Sequence, residues 1–331
     1  ARRALAGEDD GFDQELWQLS SHWGRHLRHT NDIVLANGHG WRLWIPADQY
    51  SAKWIAEAIG LPLYGALNPE YFALVHGQRQ VAFTSRAQHG GQLCVANPGL
   101  RRQYADNIIR YARLNPSTRM FSLSQNDGGM HCECDLCAAW DPPGTGFTVG
   151  DVESAWLTDR IVRFQNDVAE RVLAQIPDAQ FTATAYHATG KAPRVERAHP
   201  RLHVIGYYNY LPYRFYIEPK RRELEAALAG WERGSDNFYF GSFYFAYGNY
   251  SLPWSTVETH RWMVDMMERH GHRGITMYYS GEDMRPMVGQ LGPDPWVLSQ
   301  LLWDPDQSVD DLVEEWYTGS FGSQAGTLVR A

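Results

Sequence analysis

Apolar, β-rich runs alternate with amphipathic helical runs along most of this 331-residue chain, and no other feature limits its fold as much. Candidate strands lie at 32–37, 92–96, 120–124, 181–185, 202–208, 238–245 and 274–279. Helical patterns fall between them. The run at 98–114 opens with Pro98, which suits a first turn; in 155–176, Leu157, Ile161, Phe164, Val168 and Val172 recur at helical spacing; 218–233 and 255–270 continue the series. Strand–helix repetition of this kind implies parallel strands joined by right-handed crossovers. About seven such units favour a closed barrel over an open sheet, and the length suits one barrel domain. The expected fold class is therefore α/β: a (β/α)8 TIM-like barrel spanning residues 1–331, with an incomplete or irregular first strand. Two additions are expected: a hairpin insertion near 70–83, turning at His76-Gly77, and a C-terminal helix near 309–316. The Pro- and Gly-rich stretch at 141–150 reads as a surface loop.

Composition removes several function classes. No apolar run reaches the roughly 18 residues a membrane helix needs. The net charge is −8 and charges of both signs are interleaved, so nucleic acid is not the expected partner. Aromatics make up 13% of the chain, with Trp 13, Tyr 18 and Phe 13. Tyrosines cluster, as in Tyr207-Tyr208-Asn209-Tyr210. Aromatic faces stack on sugar C–H surfaces while polar neighbours bind hydroxyls, so the composition suits an oligosaccharide or polysaccharide ligand.

In a parallel α/β barrel the active site forms at the C-terminal strand ends. The segments following the candidate strands deliver His39 and Trp41, then Asn97, then Gln125-Asn126-Asp127, then Tyr186-His187, then Tyr208-Asn209, then Tyr247, and finally Glu282-Asp283. Glycoside hydrolysis needs two carboxyl groups flanking the scissile bond. Asp127 and Glu282 form the expected catalytic pair, Asp127 as general acid and Glu282 as base or nucleophile. The remaining residues, His39, Trp41, Asn97, Gln125, Asn126, Tyr186, His187, Tyr208, Asn209, Tyr247 and Asp283, are expected to bind substrate. No cofactor is expected for catalysis.

The four cysteines are Cys94, Cys132, Cys134 and Cys137. Three form a C-x-C-x-x-C run directly after the Asp127 loop. With Cys94 they are expected to converge on a structural zinc ion, with disulfides or free thiols as alternatives. Zinc would point to a cytoplasmic protein and disulfides to an exported one. The N-terminus, Ala1, fits a mature form or a fragment.

The segments Leu93-Cys94-Val95-Ala96-Asn97-Pro98 and Ser122-Leu123-Ser124-Gln125-Asn126-Asp127-Gly128-Gly129, running into the cysteine motif, resemble the bacterial family called domain of unknown function 4838. Asn68-Pro69-Glu70-Tyr71-Phe72 and Leu301-Leu302-Trp303-Asp304-Pro305 with Val309-Asp310-Asp311-Leu312 extend the likeness, which runs from about Ile33 to Gly322. The resemblance implies a TIM-barrel glycosidase-like protein related to α-glucuronidases and β-hexosaminidases. The Asp-Glu pair of hexosaminidases is absent, so substrate-assisted catalysis is not implied. The reading is a glycoside hydrolase. Its rivals are a non-catalytic sugar-binding barrel and a metal-dependent hydrolase built on His39, His131 or His187 with Asp127.

Overall fold

The computed structural model describes residues 39–48, 56, 58–81, 91–145, 156–208, 215–243, 257–278 and 293–330. The strand expected at 32–37 lies outside them. The chain divides into two compact units, one made of Leu35–Phe243 with Met266–Tyr278, the other of Ala1–Val34, Tyr244–Asp265 and Tyr279–Ala331.

The first unit is built on a parallel sheet of β3 (Met120–Ser122), β4 (Gln180–Ala185), β5 (Leu202–Tyr207), β6 (Phe238–Phe243) and β7 (Gly274–Tyr278), paired in chain order. Phe181, Thr182 and Ala183 are buried in succession on β4, as expected of a strand covered on both faces. Ahead of the sheet lies a small antiparallel hairpin, β1 (Leu74–Val75) with β2 (Gln78–Arg79). Its turn needs left-handed backbone at both His76 (φ 49°) and Gly77 (φ 76°), which Gly accepts without cost and His tolerates. The helices of this unit begin with α1 (Gly40–Trp44), α2 (Pro98–Leu114), α3 (Thr158–Leu173) and α4 (Glu218–Gly234). Asn97 caps α2: its Oδ1 accepts from Gly99 N at 2.8 Å and Leu100 N at 3.1 Å, and Pro98 fills the first helical position. The next helix, α5 (Val257–Arg269), is shared between the units at Asp265/Met266.

One expectation changes here. The run 92–96 is not a strand of the sheet; among the described residues its only pairing is an antiparallel bridge from Leu93 to Phe72, after which the chain turns into the α2 cap. Its apolar residues are buried, which explains the strand-like pattern, but its backbone bonds run to Tyr71 and Ala73 rather than to β3. The crossover from β4 to β5 carries no α-helix; it holds a 3-10 turn, His187–Thr189, and then an irregular run. Backbone N–H groups in an irregular run lack the partners a helix or sheet would give, and side chains of α3 supply several. The Asp159 carboxylate accepts from the N–H groups of Arg194, Val195 and Glu196 at 2.7–3.0 Å, and Asn166 bonds His199 N and Arg197 O, both at 2.8 Å.

α1 lies against the end of β3. Trp44 Nε1 donates to Ser122 O at 2.9 Å, Trp41 Nε1 to Leu123 O at 3.0 Å, and Trp41 N to Ser124 O at 3.1 Å. The approach requires glycine at position 40, because a Cβ there would sit 2.2 Å from Ser122 O. Gly40→Ala is accordingly expected to destabilise this unit by about 2–4 kcal/mol, as overpacking against backbone does. A urea midpoint unchanged from wild type would disprove the fit.

At the other end of the sheet His272 packs on Phe238, with ring centroids 4.7 Å apart. Burial lowers its imidazole to about 4, and the neighbouring His270 pushes the same way. In the unfolded chain the same group takes its proton near 6.5. The folded value is the lower, so the unfolded state binds more protons below about pH 6.5. Stability should therefore fall between about pH 6.5 and 4, by at most about 1.4 kcal/mol per pH unit from this group. Unfolding midpoints across that range should drop less steeply for His272→Phe than for wild type; parallel curves would assign the slope elsewhere.

The second unit contains α6 (Asp294–Trp303), α7 (Val309–Phe321) and α8 (Ser323–Arg330). Ser308 Oγ accepts from Asp311 N to cap α7, and Gly322 at φ 80° ends it. The helix expected at 309–316 is thus present and longer. Among the described residues no helix is long and apolar enough to cross a membrane.

Candidate functional site

Four sulfurs meet beside the hairpin. Cys94 Sγ lies 3.5 Å from Cys134 Sγ and 3.8 Å from Cys137 Sγ, and all four sulfurs fall within 4.8 Å of one another. A disulfide would bring two of them to about 2.05 Å, and none of the four is so bonded. Tetrahedral thiolates around one ion at about 2.3 Å stand about 3.8 Å apart; the two distances from Cys94 lie close to that, and no pair exceeds 4.8 Å. The donor set and geometry fit a metal ion.

Each sulfur is delivered by local structure. Cys94 directly follows Leu93, which bridges Phe72, and its N–H donates to Tyr71 O at 2.9 Å. Cys132 is drawn to the hairpin, where Leu74 N donates to its Sγ at 3.3 Å and Glu133 N to Leu74 O at 2.8 Å. Cys134 precedes a single helical turn, Asp135–Ala138, that carries Cys137 inward. The buried Arg160 of α3 holds the run from behind: Nη1 donates to Cys132 O at 2.7 Å while Nε pairs with Asp141 at 2.8 Å. The clustering expected from sequence is therefore met by a different route, a hairpin and a bridge rather than two neighbouring strands.

The thiols do not titrate alike when no metal is bound. Hydrogen bonds from Cys137 and Cys94 hold Cys132 well below the usual thiol range, and the Leu74 N–H contributes. Cys94 is pushed up to about 12 by its hydrogen bond with Cys132 and by burial, and Cys137 is raised for the same reasons. A divalent cation bound here would favour the thiolate forms. Arg79 adds positive charge: burial lowers its guanidinium, but the hydrogen bond to Cys94 and the field of the cysteines outweigh it.

The C-terminal end of β3 leads into Ser124, Gln125, Asn126 and Asp127. Gln125 is buried; its Nε2 donates to Thr189 Oγ1 at 2.7 Å, and its carbonyl accepts from His39 Nδ1 at 2.7 Å. Asn126 is also buried, accepting from Arg42 N at 3.1 Å and donating to Gly91 O at 3.0 Å. Asp127 follows, half-buried, with Gly128 at φ 111° in a conformation that only glycine adopts freely. Arg42 of α1 lies within the field of Asp127; burial lowers its guanidinium and the Asp127 charge opposes this. From the end of β4 come Tyr186 and His187, whose rings lie 3.6 Å apart, with His187 at φ 50°. Buried His131 is held neutral, at about 3, by desolvation first, with Arg160 and His187 acting in the same direction.

The structure thus gathers His39, Gln125, Asn126, Asp127, Tyr186 and His187 around the ends of β3 and β4. It gives other expected binding residues structural duties. Trp41 is 0% exposed, with its indole N–H taken by Leu123 O, so it has no face for a sugar. Asn97 is the α2 cap and bonds Glu70 O through Nδ2. Tyr208 is 7% exposed and its hydroxyl donates to Gly190 O at 3.2 Å. Asn209, Tyr247, Glu282 and Asp283 lie outside the described residues. Arg42, Gln92 and Arg160 were not singled out by the sequence. For Gln92 a signal existed in its position two residues before Cys94.

These features define a mixed α/β protein with a parallel five-stranded sheet and a four-thiol centre beside the carboxyl end of its first strand. The chain matches the family described as domain of unknown function (DUF4838) over residues 36–331, and it belongs to that family. No curated protein and no solved structure matches it.

Proposed function

We propose that the protein is a glycoside hydrolase whose general acid is Asp127 and whose cysteine centre holds a structural zinc ion. The observation that carries the reading is the placement of Asp127. It stands at the carboxyl end of a parallel strand, in a glycine-flanked turn, with Tyr186 and His187 delivered by the next strand. That is where α/β sheets place reacting groups, and glycine lets a ligand approach backbone closely. A half-buried carboxyl group at such a strand end suits proton delivery to a leaving oxygen. Glu282, after β7 in sequence, supplies the base or nucleophile, and β3 to β7 form part of a closed (β/α)8 barrel.

Zinc is favoured over other ions because four thiolates at tetrahedral spacing suit a borderline-soft ion with no geometric preference of its own. Four protein ligands fill its coordination, so it braces the fold and takes no part in the reaction.

The test is a screen of aryl-glycosides and natural oligosaccharides with the purified chain, read by released sugar. Cleavage supports the reading. Binding of an oligosaccharide without cleavage of any glycoside would replace it with a sugar-binding barrel.

A further inference from the structure

The segment that supplies Cys94 also grips the turn that carries Asp127. Gln92 is 0% exposed, and its Nε2 donates to Asn126 O at 2.6 Å and to Gly128 O at 3.0 Å. Asn126 Nδ2 returns a bond to Gly91 O at 3.0 Å. Three hydrogen bonds therefore clasp residues 91–92 to both sides of Asp127. The amide can face only this way, since reversed it would set its oxygen against two carbonyl oxygens. The consequence is visible at its other atom: Gln92 Oε1 is buried and finds no hydrogen-bond partner among the described residues. A buried acceptor left unsatisfied is destabilising, so the site retains Gln92 against that cost.

The same two segments meet again at the sulfurs. Cys94 follows Gln92 by two residues and Cys132 follows Asp127 by five. Residues 92–94 and 126–132 thus form the two sides of a ring, closed at one end by the Gln92 clasp and at the other by the cysteine centre. Backbone bonds from Ala73 N to Gln92 O (2.8 Å) and from Cys94 N to Tyr71 O (2.9 Å) keep the first side from sliding.

We propose that Gln92 is a positioning residue that transmits metal occupancy of the cysteine centre to the Asp127 turn. The proposal rests on the zinc reading above. With one ion holding Cys94 to Cys132, residues 92–94 cannot shift against the turn, and the two bonds of Nε2 hold the carbonyls of the residues before and after Asp127. Without the ion that end of the ring opens, and the clasp alone must hold the carboxyl group in place. Outer groups commonly orient a site in this way.

The test compares the full chain with Gln92→Met, which keeps the length and loses the donor, and with Gln92→Asn, which keeps the amide but falls one methylene short. Elemental analysis gives metal per chain, and hydrogen exchange follows the amides of 125–131 before and after chelation. Wild type should carry one metal ion, and stripping it should speed exchange of the turn by about tenfold or more. Both variants should keep the metal, exchange at the faster rate already, and respond to chelation by less than about twofold. A turn that stays protected in both variants, or still answers fully to chelation, overturns the proposal. Loss of metal from both variants does so too, because it makes Gln92 part of the centre's own scaffold. A wild-type chain that binds no metal at all sinks the zinc reading itself, an outcome separate from the others.

Discussion

Asp127→Asn is expected to lower kcat on any glycoside the protein cleaves by about a thousandfold or more, equivalent to about 4 kcal/mol of transition-state stabilisation. The substitution is isosteric and replaces an acid with an amide that cannot give up its proton. Asp127 is half-buried rather than locked in the core, so the fold and the metal content should be unchanged. Substrate binding through neighbouring groups should persist, leaving KM within a few-fold. Glu282→Gln is expected to act on the same scale, since hydrolysis needs both carboxyl groups. Turnover of both variants within about tenfold of wild type would show that the pair is misassigned.

The second large effect lies at the sulfurs. Cys137→Ser, at a buried ligand, is expected to abolish metal binding and to cost at least about 3 kcal/mol of stability, because a structural site couples its binding energy to folding. At about 2–4 °C per kcal/mol for a body of this size, Tm falls by roughly 10 °C. Chelation of the wild type should give a similar drop, reversed by added zinc. Cys134 is more exposed than the other three, so Cys134→Ser leaves a hole that solvent can fill and should cost less. Wild-type protein that is metal-free as purified, with a Tm indifferent to chelator and to Cys137→Ser, would exclude a structural ion.

Much of this architecture was legible in the order of residues. Pro98 after a capping Asn97 marks the start of α2, and the spacing of Leu157, Ile161, Phe164, Val168 and Val172 marks the buried face of α3. β4 and β5 read as short apolar runs because both their faces are covered. What misled was burial without pairing. Residues 92–96 are as apolar as a central strand, yet they are buried by a hairpin, and periodicity cannot tell the two cases apart. The β4–β5 crossover was simply unread. Its backbone is satisfied by Asp159 and Asn166, side chains that belong to another helix, and no local pattern announces such a debt.

The same limit holds at the site. Asp127 and the cysteine run were visible because turn residues and thiols at close spacing carry chemistry in themselves. Trp41 and Tyr208 looked like sugar platforms because they follow strands and are aromatic; burial alone gives them to the core. Arg42 was invisible because its role comes from a contact with a residue 84 positions away, and Gln92 had only its closeness to Cys94 to mark a contact 34 positions away.

The sealing of β3 by α1 has a further consequence, which concerns time. Trp41 reaches Leu123 O across 82 residues of chain. During synthesis at about 5–20 residues per second, Trp41 and Trp44 leave the ribosome roughly 4–16 seconds before the carbonyls that will accept from them. For that interval two indoles that end at 0% and 3% exposure stand bare to the cell. The nascent chain is therefore most open to chaperones, and most prone to sticking to its neighbours, in the window that closes when residues 122–124 emerge.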